Sequence, residues 1–174
     1  FFGFYGFKST MTETGQKTVT QTITLASASP RRRDLMALTG WNVHVVSTDV
    51  DESSHPDENG RALAYRLAQA KAREAAEDSD DYGVLLAADT IVEYDGQLLG
   101  KPVDDANAIR MLTMLRGREH SVVTALAMIP SGEDLIMEVC ETMVPMRKYS
   151  SDEIRVYVGS GHVMDKAGAY GIQD

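Results

Sequence analysis

The chain has 174 residues, a single cysteine and a formal net charge of −9. That length fits one domain with a sizeable core, and the acidic balance argues against a general nucleic-acid or membrane-surface binder, since both need basic faces. Cys140, standing alone, excludes a disulfide within the chain and fits a reducing cytoplasm, and no apolar stretch nears the roughly 20 residues of a membrane helix.

The first ten residues differ from the rest, because Phe1, Phe2, Phe4 and Phe7 are all the phenylalanines of the chain. They lack the basic start and cleavage pattern of a signal peptide. Residues 1–21 are read as a disordered extension or tag, with Met11 a candidate start, and residues 22–174 as the folded domain. Ile23 to Ala26 is a short buried strand. Ser29 then fits a helix N-cap, with Pro30 at the first helical position and Gly40 as the stop. Asn42 to Val46 reads as a strand with Val43 and Val45 on one face and His44 on the other. The polar stretch from Ser47 to Gly60 is a loop carrying Asp49, Asp51 and Glu52. Leu63, Leu67 and Ala70 mark a long helix over roughly 59–77, with Lys71 at the edge of its inward stripe.

After an acidic loop over 78–82, Val84 to Ala88 is a continuous apolar run that delivers Asp89 and Thr90 at its end. Asp95-Gly96 between Ile91–Tyr94 and Gln97–Leu99 is a type I′ hairpin signal. Asp104 caps a helix whose apolar face is Ala108, Leu112 and Leu115, and Gly117 ends it. Ser121 to Ile129 and Leu135 to Pro145 read as strands, with Cys140 as a core filler. Ser150 and Glu153 have capping-box spacing ahead of a last helix closed by Gly159 and Gly161. Interleaved strands and helices with one hairpin give an α/β class with a mixed sheet.

Four segments could carry chemistry. Ser27 to Arg33 sets small hydroxyls, a helix start and three guanidinium groups on one chain reversal, which suits phosphate oxygens. By residue type it reads equally as a capped helix with solvated arginines. Asp89-Thr90 after an apolar run suits a general base or metal ligand held at fixed depth, and also an ordinary turn. Lys101, between Gly100 and Pro102, is either a loop residue or a point charge for phosphate. Asp165 to Gln173 packs small residues around Tyr170, and the Gln173 amide offers a donor and an acceptor to a nucleobase edge, or the stretch is only a tight loop. The four histidines have no metal-ligand spacing, and no serine sits in a nucleophile elbow.

Taken in order, Leu25-Ala-Ser-Ala-Ser-Pro-Arg-Arg-Arg-Asp-Leu35, Asp49 to Glu52, Ala88-Asp-Thr-Ile-Val92, Leu99-Gly-Lys-Pro102, Gly117-Arg118 through Val123-Thr124, and Asp165 to Gln173 resemble the Maf family of nucleoside triphosphate pyrophosphatases. The resemblance implies a two-lobed α/β fold, a mixed sheet with flanking helices and a deep central cleft like that of inosine triphosphatases. It implies hydrolysis of a nucleoside triphosphate between the α and β phosphates, with a divalent ion, Mg²⁺ first and Mn²⁺ or Co²⁺ as substitutes. Asp89 would be the base, Glu52 and Asp89 the metal ligands, and Ser27, Arg31, Arg32, Lys71, Thr90, Lys101, Lys166 and Gln173 the substrate contacts. Arg31, Thr90 and Gln173 match positions tied to substrate choice. Their identities resemble the branch acting on dTTP and UTP, since the 7-methyl-GTP branch carries tryptophan where Arg31 stands. The competing readings are a pyrophosphatase for 7-methyl-GTP or other modified nucleotides, and a non-catalytic protein of septum formation or division arrest. The resemblance also implies a homodimer, and a family pattern running past Asp174, so that the chain is expected to be either a fragment or a shortened version.

Overall fold

A computed structural model describes residues 10–11, 17–18, 22–77 and 83–172. Thr10–Met11 (β1) pairs antiparallel with Lys17–Thr18 (β2). The rest of residues 1–21, read from the sequence as an extension or tag, residues 78–82, read as an acidic loop, and Gln173 lie outside the described residues. The other elements are β3 (Thr22–Ala26), α1 (Pro30–Ala37), β4 (Asn42–Val46), α2 (Gly60–Glu77), β5 (Val84–Tyr94), β6 (Gln97–Leu99), α3 (Asp105–Leu115), β7 (Glu119–Pro130), β8 (Ile136–Pro145) and α4 (Ser151–Gly159). The fold is mixed α/β, with a six-stranded sheet of order β4-β3-β5-β7-β8 and β6 paired to β5. Among the described residues no helix is long and apolar enough to cross a membrane.

The chain divides into two compact units, Phe1–Asp51 with Ala68–Ala88 and Leu126–Met137, and Glu52–Leu67 with Asp89–Ala125 and Glu138–Asp174. In the first unit β3 is paired on both sides by parallel strands, β4 and β5. Such a strand has both faces covered and reads as a continuous apolar run, and Ile23, Leu25 and Ala26 are accordingly buried. Gly83, just before β5, has φ +63°, and an added Cβ there would lie 2.5 Å from the Thr22 carbonyl oxygen, so a side chain has no room. β4 is an edge strand, and the face that Val43 and Val45 share is only partly covered: Val45 is 40% exposed. β8 is the opposite edge, and there the sequence reading of Cys140 fails. Its thiol is exposed rather than a core filler, because residues 140–143 of that strand all remain open to solvent.

The second unit is built around Val92, Leu99, Leu112, Leu115, Ile154 and Val163. Both of its short helices are capped as their sequences require. The Asp104 carboxylate accepts from the Asn107 amide at 2.6 Å, and Ser150 and Glu153 form a reciprocal capping box, which satisfies amides that have no partner inside the helix. Asp95 and Gly96 have φ values of +50° and +72°, the paired positive angles of a type I′ turn. A short 3₁₀ turn spans Ala167–Ala169. Gly168 has φ +68° there, and an added Cβ would stand 3.0 Å from a Val92 methyl.

Candidate active site

In the first unit, the β3–β5 ladder ends on the pair Ala26↔Ala87, and the Ser27–Arg33 segment turns away from that end. Ser27 is buried, and its hydroxyl accepts from the Ser29 amide at 3.2 Å and from Arg32 Nη1 at 3.3 Å. The same Nη1 donates to the Ala88 carbonyl oxygen at 2.7 Å, a charge-assisted bond at the short end of the normal range. Ser29 occupies the N-cap position and Pro30 the first turn, as expected, but the Ser29 side chain makes no capping bond. Arg31 is half-buried. Lys71 is only 9% exposed, on the same inward stripe of α2 as Ala68, Ala72 and Ala75 rather than at its edge.

Asp89 and Thr90 lie in the interior of β5, not at its end as the apolar run implied. The difference has a structural reason. β5 changes partners here, pairing β3 in parallel through Ala87 and β6 antiparallel from Val92, so Asp89 follows the end of the parallel ladder while the strand itself continues. The Asp89 side chain is buried, with the residue 7% exposed.

In the second unit, Thr90 Oγ1 and Thr124 Oγ1 share a hydrogen bond of 3.0 Å, joining two of the segments singled out in the sequence. Two more meet where the Gly168 amide donates to the Gly100 carbonyl at 3.0 Å. Lys101 itself is exposed, whereas Lys166 is 7% exposed. The Lys166 ammonium bonds the His162 carbonyl and lies 3.5 Å from Asp165 Oδ1. Glu52 is exposed on the loop before α2. That loop is anchored by Arg66, which donates to the Ser53 carbonyl at 2.8 Å and forks onto both Glu58 oxygens. The guanidinium holds the Glu58 carboxyl down at about 2. Nothing in the sequence marked Arg66, eight residues beyond Glu58, for that task.

Buried His120 bonds the Tyr170 hydroxyl through Nε2 at 2.6 Å. Burial lowers the His120 pKa and pushes the Tyr170 phenol up to about 12. A cavity of about 510 Å³ in the second unit borders His120 but is ringed by Glu93, Asp95, Glu119 and Glu141 with Arg61. That excess of carboxylate would repel a triphosphate, and although Glu119, His120, Ser121 and Val123 of the Gly117–Thr124 stretch line it, none of the residues named from the sequence as catalytic, metal or substrate contacts does.

Among the described residues no group of three or more His, Cys, Asp or Glu side chains could hold a metal ion. Of the two carboxylates that the family resemblance names for a metal, Asp89 is buried and Glu52 exposed; their oxygens are donors of the hard kind that Mg²⁺ takes.

A family model described as Maf-like protein matches residues 22–174, almost the whole chain. The chain belongs to the Maf family. Curated relatives of this Maf protein include the dTTP/UTP pyrophosphatase of Syntrophomonas wolfei, 46% identical over 151 residues that cover 86% of this chain and 79% of that one. The dTTP/UTP pyrophosphatase of Yersinia pestis is 44% identical over 149 residues, covering 86% of this chain and 75% of the relative. Among solved structures, the Staphylococcus aureus Ham1 protein matches with a TM-score of 0.48 at 18% identity, over 71% of this chain and 70% of that one.

Proposed function

We propose that this Maf protein hydrolyses dTTP and UTP to the nucleoside monophosphate and pyrophosphate. The observation that carries the reading is the 46% identity, over most of both chains, to a relative named for that reaction. The chemistry of the residues agrees with it. A triphosphate brings several negative charges to a protein of net charge −9, so binding requires local cations, and Arg31, Lys71, Lys101 and Lys166 are assigned that part.

Asp89 is assigned as the base. Its carboxylate accepts a proton from water as the water oxygen attacks the α-phosphorus in line, and the bond to the bridging oxygen breaks to release pyrophosphate. A buried carboxylate in a paired strand is held to a narrow range of positions, which is what a base acting on one water needs. Ser27 and the amides at the start of α1 are assigned to phosphate oxygens, and Arg31, Thr90 and Gln173 to base choice. Asp89 and Glu52 would hold a divalent ion, Mg²⁺ or its substitutes Mn²⁺ and Co²⁺, which when bound supplies positive charge beside the phosphates. Its place of action on this reading is the cytoplasm.

A panel of dTTP, UTP, 7-methyl-GTP and purine triphosphates with pyrophosphate detection tests the substrate, and a preference for 7-methyl-GTP would refute the assignment. Asp89→Asn is expected to lower turnover by about 10²–10⁴-fold, the usual contribution of a positioned base, with an unchanged circular dichroism spectrum. Near-full activity in that variant would sink the mechanism.

A further inference from the structure

We propose that Arg32 is a positioning residue for Asp89, fixing the peptide group through which the backbone enters that carboxylate. The inference rests on the reading of Asp89 as the base. The sequence suggested instead that Arg32 holds phosphate, as its neighbour Arg31 is assigned to do.

The geometry favours a different division of labour. A parallel ladder gives a partner to every second carbonyl of the strand, those that face its neighbour, as far as it runs, and this one stops at Ala26↔Ala87. Ala88 is the next residue of β5, and its carbonyl receives Arg32 Nη1 at 2.7 Å across a sequence separation of 56. The guanidinium thus takes over as donor where the β3 backbone leaves. A peptide unit is planar, so holding the Ala88 oxygen sets the plane in which the Asp89 nitrogen lies. From that plane the Asp89 carboxylate is placed by one backbone torsion and two side-chain torsions.

Ser27 completes the device. Buried at 5% exposure, its hydroxyl lies 3.3 Å from the same Nη1 and accepts the Ser29 amide at 3.2 Å, while its own amide donates to the Leu25 carbonyl at 3.0 Å. The serine is tied into the turn that launches α1, and α1 carries Arg32. A lysine could bring the charge but not the planar fork that sets donor direction.

The test compares full-length wild type with Arg32→Lys and Arg32→Gln, reading kcat and KM for dTTP and the carbonyl ¹³C chemical shift of Ala88. The expected result is a kcat lowered by about 10²-fold in both variants, the scale of a 1 Å misplacement, with KM unchanged and the Ala88 carbonyl shifted upfield. Raised KM with kcat intact would make Arg32 a phosphate ligand and overturn the proposal, as would an unmoved Ala88 resonance. Unfolding of the conservative Arg32→Lys would assign the residue to the fold and likewise overturn it. The carbonyl shift needs no turnover. A wild type inactive on every triphosphate would therefore refute the proposed function, while the Ala88 resonance would still decide the clamp.

Discussion

Helices α1 and α4 both follow a serine, and the two serines do different work. Ser150 accepts the Glu153 amide at 3.1 Å while Glu153 accepts the Ser150 amide at 2.8 Å, and the helix behind them buries Ile154 and Val158. Ser29 makes no capping bond and α1 buries no residue at all. Leu35 and Leu38, one turn apart, stand 60% and 84% exposed. What fastens α1 is polar and specific, the Arg32 bond to Ala88 and the hydroxyl of Ser27. The contrast separates two ways of placing a helix. Capping and burial stabilise α4 whatever the protein does, whereas α1 is tied by groups next to the residue assigned to catalysis.

This contrast can be broken most forcefully in the apolar contacts. Leu115→Ala, in the core beside α4, is expected to cost about 2–5 kcal/mol in urea unfolding, against less than about 0.5 kcal/mol for Leu38→Ala. Equal losses would mean that α1 is held by burial after all. The caps give a smaller and cleaner difference. Ser150→Ala should lose about 0.5–2 kcal/mol, and Ser29→Ala, with no side-chain bond to lose, should change thermal stability by under about 0.5 kcal/mol.

The smallest effect concerns the loop before α2 and is read against pH. The Glu58 carboxyl is lowered from 4.5 to about 2 in the folded chain, first by its hydrogen bond to Arg66. A depressed carboxyl contributes stability that is present in full above its unfolded pKa and is lost as pH falls toward the folded one. Wild type should therefore weaken between about pH 5 and pH 2 more steeply than Glu58→Gln. Parallel pH profiles for the two proteins would show that the ion pair does not anchor the loop.

The features legible in the sequence were those decided locally. Asp95-Gly96 requires two positive φ angles, Asp104 and Ser150 carry their own capping oxygens, and each took the predicted conformation. Features that depend on a distant partner were less legible. The apolar run to Ala88 gives no sign that β5 continues through Asp89 to Tyr94, because the continuation is paired by strands that come later in the chain, β6 and β7. The exposure of Cys140 is not legible in its strand, because an edge strand and a central one have similar composition. Of the candidate site, the residue types at Ser27, Arg32 and Asp89 were conspicuous, but the bond from Arg32 to a carbonyl 56 positions away was not. A guanidinium has no sequence mark that distinguishes a phosphate partner from a backbone one.

The change of partners along β5 also bears on the order of folding. Its second half meets β6 across a two-residue turn, a closure that takes microseconds in isolated hairpins. Its first half must find β3 across about sixty residues of intervening chain, the kind of distant pairing that slows folding. Asp89 lies between the fast half and the slow one, so its surroundings are complete only when the last long loop has closed. Pulse-labelled hydrogen exchange during refolding should accordingly protect Val92 and Leu99 before Leu25 and Leu86, with nucleotide hydrolysis returning in step with the later pair.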